Sequence, residues 1–142
     1  MRERFIDAEG CIVGRVAAAA AKAALLGDKV AVLNCEKSVV SGKREAILEE
    51  MKYDFSRTGR PTKGPFMQRV SDRFVRRIIT RMLPRSETRG REAVSRVLCY
   101  TGIPAEFKDK KMEKVKGSEA SKLPSPRFMT VLQITKHLGG SR

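Results

Sequence analysis

The chain of 142 residues has no tryptophan, two tyrosines, six phenylalanines and a single histidine, and it sets only sixteen acidic residues against thirty lysines and arginines. Each shortage excludes something. With few aromatics and no sheet-borne aromatic consensus, reading single strands by base stacking is poorly supported. A hydrolase needs a nucleophile with an activating base, and a metal site needs clustered His, Cys or carboxylates. His137 and the scattered Cys11, Cys35 and Cys99 supply neither. The cysteines are odd in number and widely spaced, so they are expected to be buried reduced thiols of a cytosolic protein. The apolar runs 16–21 and 23–26 are too short to cross a membrane, and the opening MRERFID lacks the apolar stretch of a signal peptide. Glu45, Glu49 and Glu50 share a segment with Lys43, Arg44 and Lys52, the pattern of solvated salt bridges rather than of an acid/base pair. No enzyme activity, metal, cofactor or small-molecule substrate is expected.

What the chain does have is positive charge, and that charge is unevenly placed. Residues 1–56 carry nine basic and nine acidic side chains, residues 57–96 carry twelve against three, and residues 97–142 nine against four. A surface that only needs solubility mixes signs, whereas a field of one sign attracts polyanions. All the basic residues of the middle segment except Lys63 are arginine, whose planar fork suits phosphate. The segment 70–102 sorts this charge. At 100° per residue Phe74, Val75, Ile78, Ile79, Met82 and Leu83 fall on one side of a helix, and Arg73, Arg76, Arg77 and Arg81 on the other. Pro84 should end that helix near Leu83. Arg85, Arg89, Arg91 and Arg96 continue the charge into a second helix with Thr88 as its expected N-cap. Binding by backbone charge to folded, largely helical RNA fits this distribution.

In chain order, a strand is expected over 4–8, a turn at Glu9-Gly10, an extended piece at 11–13 and an alanine-rich helix over 14–26 with Gly27 beyond its end. Val30 to Leu33 reads as a strand covered on both faces, Val39-Val40 as a short strand, and 43–55 as a helix with Ile47, Leu48, Met51 and Phe55 inside. The order suggests an α/β layered domain. Gly42-Lys43 invites a phosphate-loop reading that fails on spacing, since Lys37 and Arg44 stand where a glycine and a Ser or Thr are required. Residues 56–69 hold four glycines and prolines among Arg57, Arg60, Lys63 and Arg69, a long basic loop of the kind that is functional. A short strand is expected over 97–100. Residues 105–127 are lysine-rich with little to bury, an extension ending in a short helix with a capping box at Thr130 and Gln133. The expected organisation is one domain over 1–104, including the loop 56–70, and an extension over 105–142.

FIDAEGCIVGRVAAAAAKAALLGDKVAVLN, EKSVVSGKR, GRPTKGPF, RFVRRIITRMLPR, RGREA and YTGIP, in this order, closely resemble the large-subunit ribosomal protein thirteen family in its archaeal form. The likeness is strong from Phe5 to Pro104 and loose in the tail. It implies a three-layer α/β/α domain with a central four-stranded sheet, structural binding to large-subunit rRNA, a part in early subunit assembly, neighbouring ribosomal proteins as partners, and no catalysis in a cytoplasmic particle. Carried onto this chain, the rRNA-facing residues it implies are Arg57, Arg60, Lys63, Arg69, Arg73, Arg76, Arg77, Arg81, Arg85, Arg89 and Arg91. Two rivals remain: a general nucleic-acid coating protein that uses the same arginines without a dedicated site, and a small α/β nucleotide-using enzyme relying on Lys43.

Overall fold

The alanine-rich helix forms where its composition places it, and the sheet is built around it. The structure is a computed structural model that describes residues 1–57, 59, 62–64 and 66–140. The strands are β1 (Glu3–Asp7), β2 (Lys29–Leu33), β3 (Val39–Ser41), β4 (Val97–Cys99) and β5 (Phe128–Thr130); the helices are α1 (Val13–Leu25), α2 (Arg44–Ser56), α3 (Ser71–Arg81), α4 (Thr88–Ser95) and α5 (Val131–His137). Gly27, at φ +100°, supplies the left-handed residue that turns the end of α1 toward β2.

β1, β2 and β4 form a parallel sheet in the order β1-β2-β4, with Phe5 beside Ala31 and Ala31 beside Leu98. The period-two alternation splits its residues between two covers. Ile6, Val30, Val32 and Val97 pack with α1, α3 and α4 residues such as Val16, Val75, Ile79 and Ala93. Phe5, Ala31 and Leu33 pack instead against Tyr100, Phe107 and Met112. The described strands therefore make a three-stranded sheet in place of the expected four-stranded one. After β2 the chain turns through Asn34, at φ +54°, and a 3-10 turn over Cys35–Lys37. That turn carries β3 off the sheet; Val39 bridges to Ile12, just before α1, and β3 pairs antiparallel with β5.

The C-terminal extension buries more than its lysine content suggests. Phe107 stacks on Phe5 and Tyr100 with ring centroids 5.2 and 5.3 Å away. Glu113 donates its N–H to the Phe5 carbonyl (2.9 Å) and accepts from Asp7 (3.1 Å), covering the free edge of β1. Lys110 pairs with Glu3 and Lys114 with Asp7. The tail returns as β5 and α5, whose Thr130-Gln133 capping box forms as expected, and α5 lies against α3. Cys11 and Cys35 are buried free thiols and Cys99 is half-buried. Hydrogen bonding to Cys99, then burial, pushes the Cys35 thiol far above its ordinary range, so it stays protonated.

Candidate nucleic-acid interface

The rotation of α3 about its axis is set by what it buries. Val75 and Ile79 are fully buried, and Phe74 and Leu83 nearly so. Each such side chain contributes about 1.5–3 kcal/mol on leaving water, which no exposed arginine contact could overcome. The arginines are outside because the apolar stripe is inside. Met82 departs from the expected stripe: it is 45% exposed beside Leu25 and Leu26 at the end of α1. The helix ends at Arg81, within two residues of the expected boundary, since Pro84 can neither donate to the ladder nor let Leu83 stay helical. α4 begins at Thr88, but the cap position is Glu87 and no side chain caps it, so the expected Thr88 cap does not form.

Arg73, Arg76, Arg77, Arg81 and Arg85 line one open cleft of about 530 Å³, together with Gln68, Thr80 and Val94. Among the described residues no carboxylate lines it. Five guanidinium groups around one concavity repel one another in the free protein, and a polyanion relieves that repulsion while accepting their hydrogen bonds. Thr80 and Gln68 were missed by a reading based on charge alone. Thr80 lies four residues after Arg76 and three after Arg77, so the same helical period places it on the arginine face.

The remaining expected contact residues are placed differently. Arg77 is half-buried and donates from Nη1 to the Phe66 carbonyl at 2.8 Å, so it clamps the basic loop onto α3. The Arg69 guanidinium sits 4.9 Å from the centre of the Phe55 ring, and that of Arg57 lies 5.7 Å from the Tyr53 ring. Both are exposed, at the rim of the loop rather than in the cleft. Lys63 and Arg91 are exposed, and Arg89 pairs with Glu87 at 2.6 Å. Arg60 lies outside the described residues. Arg96 is structural, bonded to Glu92 and to the Ala24 carbonyl. Arg77→Gln is therefore expected to loosen the loop, with tryptic cleavage after Lys63 or Arg69 about three- to tenfold faster, the equivalent of one lost hydrogen bond. Arg76→Gln, on the exposed face, should leave the rate unchanged.

Among the described residues no group of three or more His, Cys, Asp or Glu side chains could hold a metal ion, and no helix is long and apolar enough to cross a membrane.

Residues 2–106 match the family model described as Ribosomal protein L13. The chain is 38% identical over 135 residues to the large ribosomal subunit protein uL13 of Methanococcoides burtonii, an alignment covering 94% of this chain and 96% of that protein. It is 38% identical over 136 residues to the uL13 protein of Methanopyrus kandleri, covering 94% and 85%. It is 36% identical over 137 residues to that of Thermoplasma acidophilum, covering 96% and 98%.

Proposed function

Since the chain belongs to the ribosomal protein L13 family, a family of ribosomal proteins and not of enzymes, we propose that it binds and organises large-subunit rRNA through the arginine face of α3 and the basic loop before it. Its partners in this reading are the rRNA and adjacent large-subunit proteins, in the cytoplasmic ribosome, with a part in subunit assembly. The α/β body over 1–104 forms the binding domain, and the extension over 105–142 braces it along the β1 edge. The observation that carries the reading is the cleft of five arginines, with no carboxylate among the described residues of its wall. Arg73, Arg76, Arg81 and Arg85 are all exposed, and none takes part in an ion pair among the described residues. Arg57, Arg60, Lys63, Arg69, Arg89 and Arg91 extend the contact around it, and Arg77 holds the loop in place for it.

Chemical footprinting of the full chain on transcribed archaeal large-subunit rRNA, at near-physiological salt and with excess unrelated structured RNA, tests this directly. Protection is expected at a few confined places and should survive the competitor. Diffuse protection that the competitor erases would instead describe a general coating protein, whose affinity comes from charge without an address.

A further inference from the structure

A second group of unpartnered cations lies away from the α3 cleft. The register of the β3–β5 ribbon sets Phe128 beside Ser41, and the N–H of Gly42 donates to the Arg127 carbonyl at 3.0 Å. Gly42 has φ +137°, a conformation that disfavours any side chain, and a Cβ there would meet the Ile47 side chain at 3.4 Å. This glycine turns the chain out of β3 and into α2, so Lys43 and Arg44 arrive next to Arg127. The result is an open cleft of about 420 Å³ lined by Lys43, Arg44, Arg127 and Phe128, with Glu45 as the one carboxylate. No residue lines both this cleft and the α3 cleft.

What distinguishes this cluster is an exposed aromatic ring and three unpaired cations gathered in one cleft. Lys37, Lys110 and Lys114 are paired with Glu9, Glu3 and Asp7, whereas none of Lys43, Arg44 and Arg127 has an ion pair or side-chain hydrogen bond among the described residues. Phe128 is 44% exposed inside the cleft, while its neighbour Met129 is buried. An apolar ring sharing a cleft with three unpaired cations fits a ligand that offers both a flat π face and negative charge. An unpaired nucleotide has both. A bare duplex backbone has no use for the ring, because its bases are already stacked.

We propose that Lys43, Arg44, Arg127 and Phe128 form a second RNA contact, in which an unpaired base stacks on Phe128 and the flanking phosphates are held by the three cations. This rests on the rRNA-binding reading and adds to it: the chain joins two RNA segments, one held by charge on α3 and one by stacking on the ribbon.

The test is base-specific and backbone footprinting of the full chain on transcribed archaeal large-subunit rRNA, with Phe128→Ala, Phe128→Tyr and the triple variant Lys43→Gln/Arg44→Gln/Arg127→Gln compared with the unaltered chain. Phe128→Ala should lose protection at one or a few unpaired bases and weaken binding about tenfold or more, while Phe128→Tyr keeps both. The triple variant should reduce the logarithmic salt slope by roughly 2, three contacts at about 0.7 each for single-stranded RNA. Protections that depend on α3 should persist in all of them. Unchanged protection in Phe128→Ala, or an unchanged slope in the triple variant, overturns the second contact and leaves the α3 reading standing. Simultaneous loss of every protection in these variants also overturns it, because one continuous surface would then be at work. Absence of confined protection with the unaltered chain is the separate result that removes the rRNA reading itself.

Discussion

Glutamine at Arg73, Arg76, Arg81 and Arg85 together is expected to weaken rRNA binding by roughly a few hundred- to a thousandfold at 150 mM salt, without unfolding the protein. Each arginine that neutralises a phosphate releases about 0.7–0.9 of a counterion, so four lost contacts lower the logarithmic salt slope by roughly 3. Extrapolated from 1 M to 150 mM salt, that slope accounts for the loss in affinity. The four side chains are exposed and line the same cleft; the helix that carries Arg73, Arg76 and Arg81 is held from the other side by Val75 and Ile79, and Arg85 sits in the turn that follows it. Glutamine keeps the stem and a similar helix propensity, so the melting midpoint should move by no more than about 2 °C. Filter binding across a salt series and a thermal melt of the same preparation check both halves. Early melting with normal binding would show that the arginines brace the fold and face no RNA.

The largest effect on stability is expected from Gly90→Ala. Gly90 is in the first turn of α4 and is buried, and a Cβ built there would lie 1.9 Å from the Pro84 carbonyl oxygen and 2.5 Å from its carbon. That oxygen is already the acceptor for the Glu87 N–H at 3.1 Å, the bond that turns the chain from α3 into α4. A methyl group cannot share the space with a backbone carbonyl, and neither atom is the end of a flexible side chain. The turn must open, at a cost at the upper end of overpacking, about 3 kcal/mol or more. For a domain of this size that lowers the melting midpoint by roughly 10 °C. Gly14→Ala is the matched control: Gly14 is also helical, in α1, and a Cβ there meets nothing within 4 Å. It should be neutral or stabilising by up to about 1 kcal/mol. Equal melting of the two variants would mean that α4 does not approach Pro84 this closely. Because the turn also positions Arg85, any folded fraction of Gly90→Ala should bind rRNA more weakly than its population explains.

Much of the candidate interface was legible in the residues because an amphipathic helix writes its two faces locally. The spacing of Phe74, Val75 and Ile79 settles which side of α3 is buried, and Arg73, Arg76 and Arg81 follow as the complement. Local chemistry also placed the Thr130 capping box and the stop at Pro84. Arg77 was not legible in the same way. It belongs to the arginine face by period, yet its bond to the Phe66 carbonyl depends on where the loop returns in space. Thr88 has the residue type of a cap, and the chain enters α4 one residue earlier, under Glu87.

The sequence by itself determined the charge and its concentration in the middle of the chain, the α/β character, the amphipathic helix and the family, because each depends on composition, period or an ordered set of motifs. Tertiary structure alone decided which strands pair. Three-residue strands such as β3 carry too little pattern to name a partner, and the left-handed Asn34 sends β3 to β5 rather than into the main sheet. It alone decided which positive charges are free. Lys110 and Lys114 bind acidic residues near the opposite end of the chain, while Lys43, Arg44 and Arg127 meet around one cleft and find no partner among the described residues. The physical reason is that charge is a property of a residue, whereas its neutralisation depends on neighbours that only folding brings together.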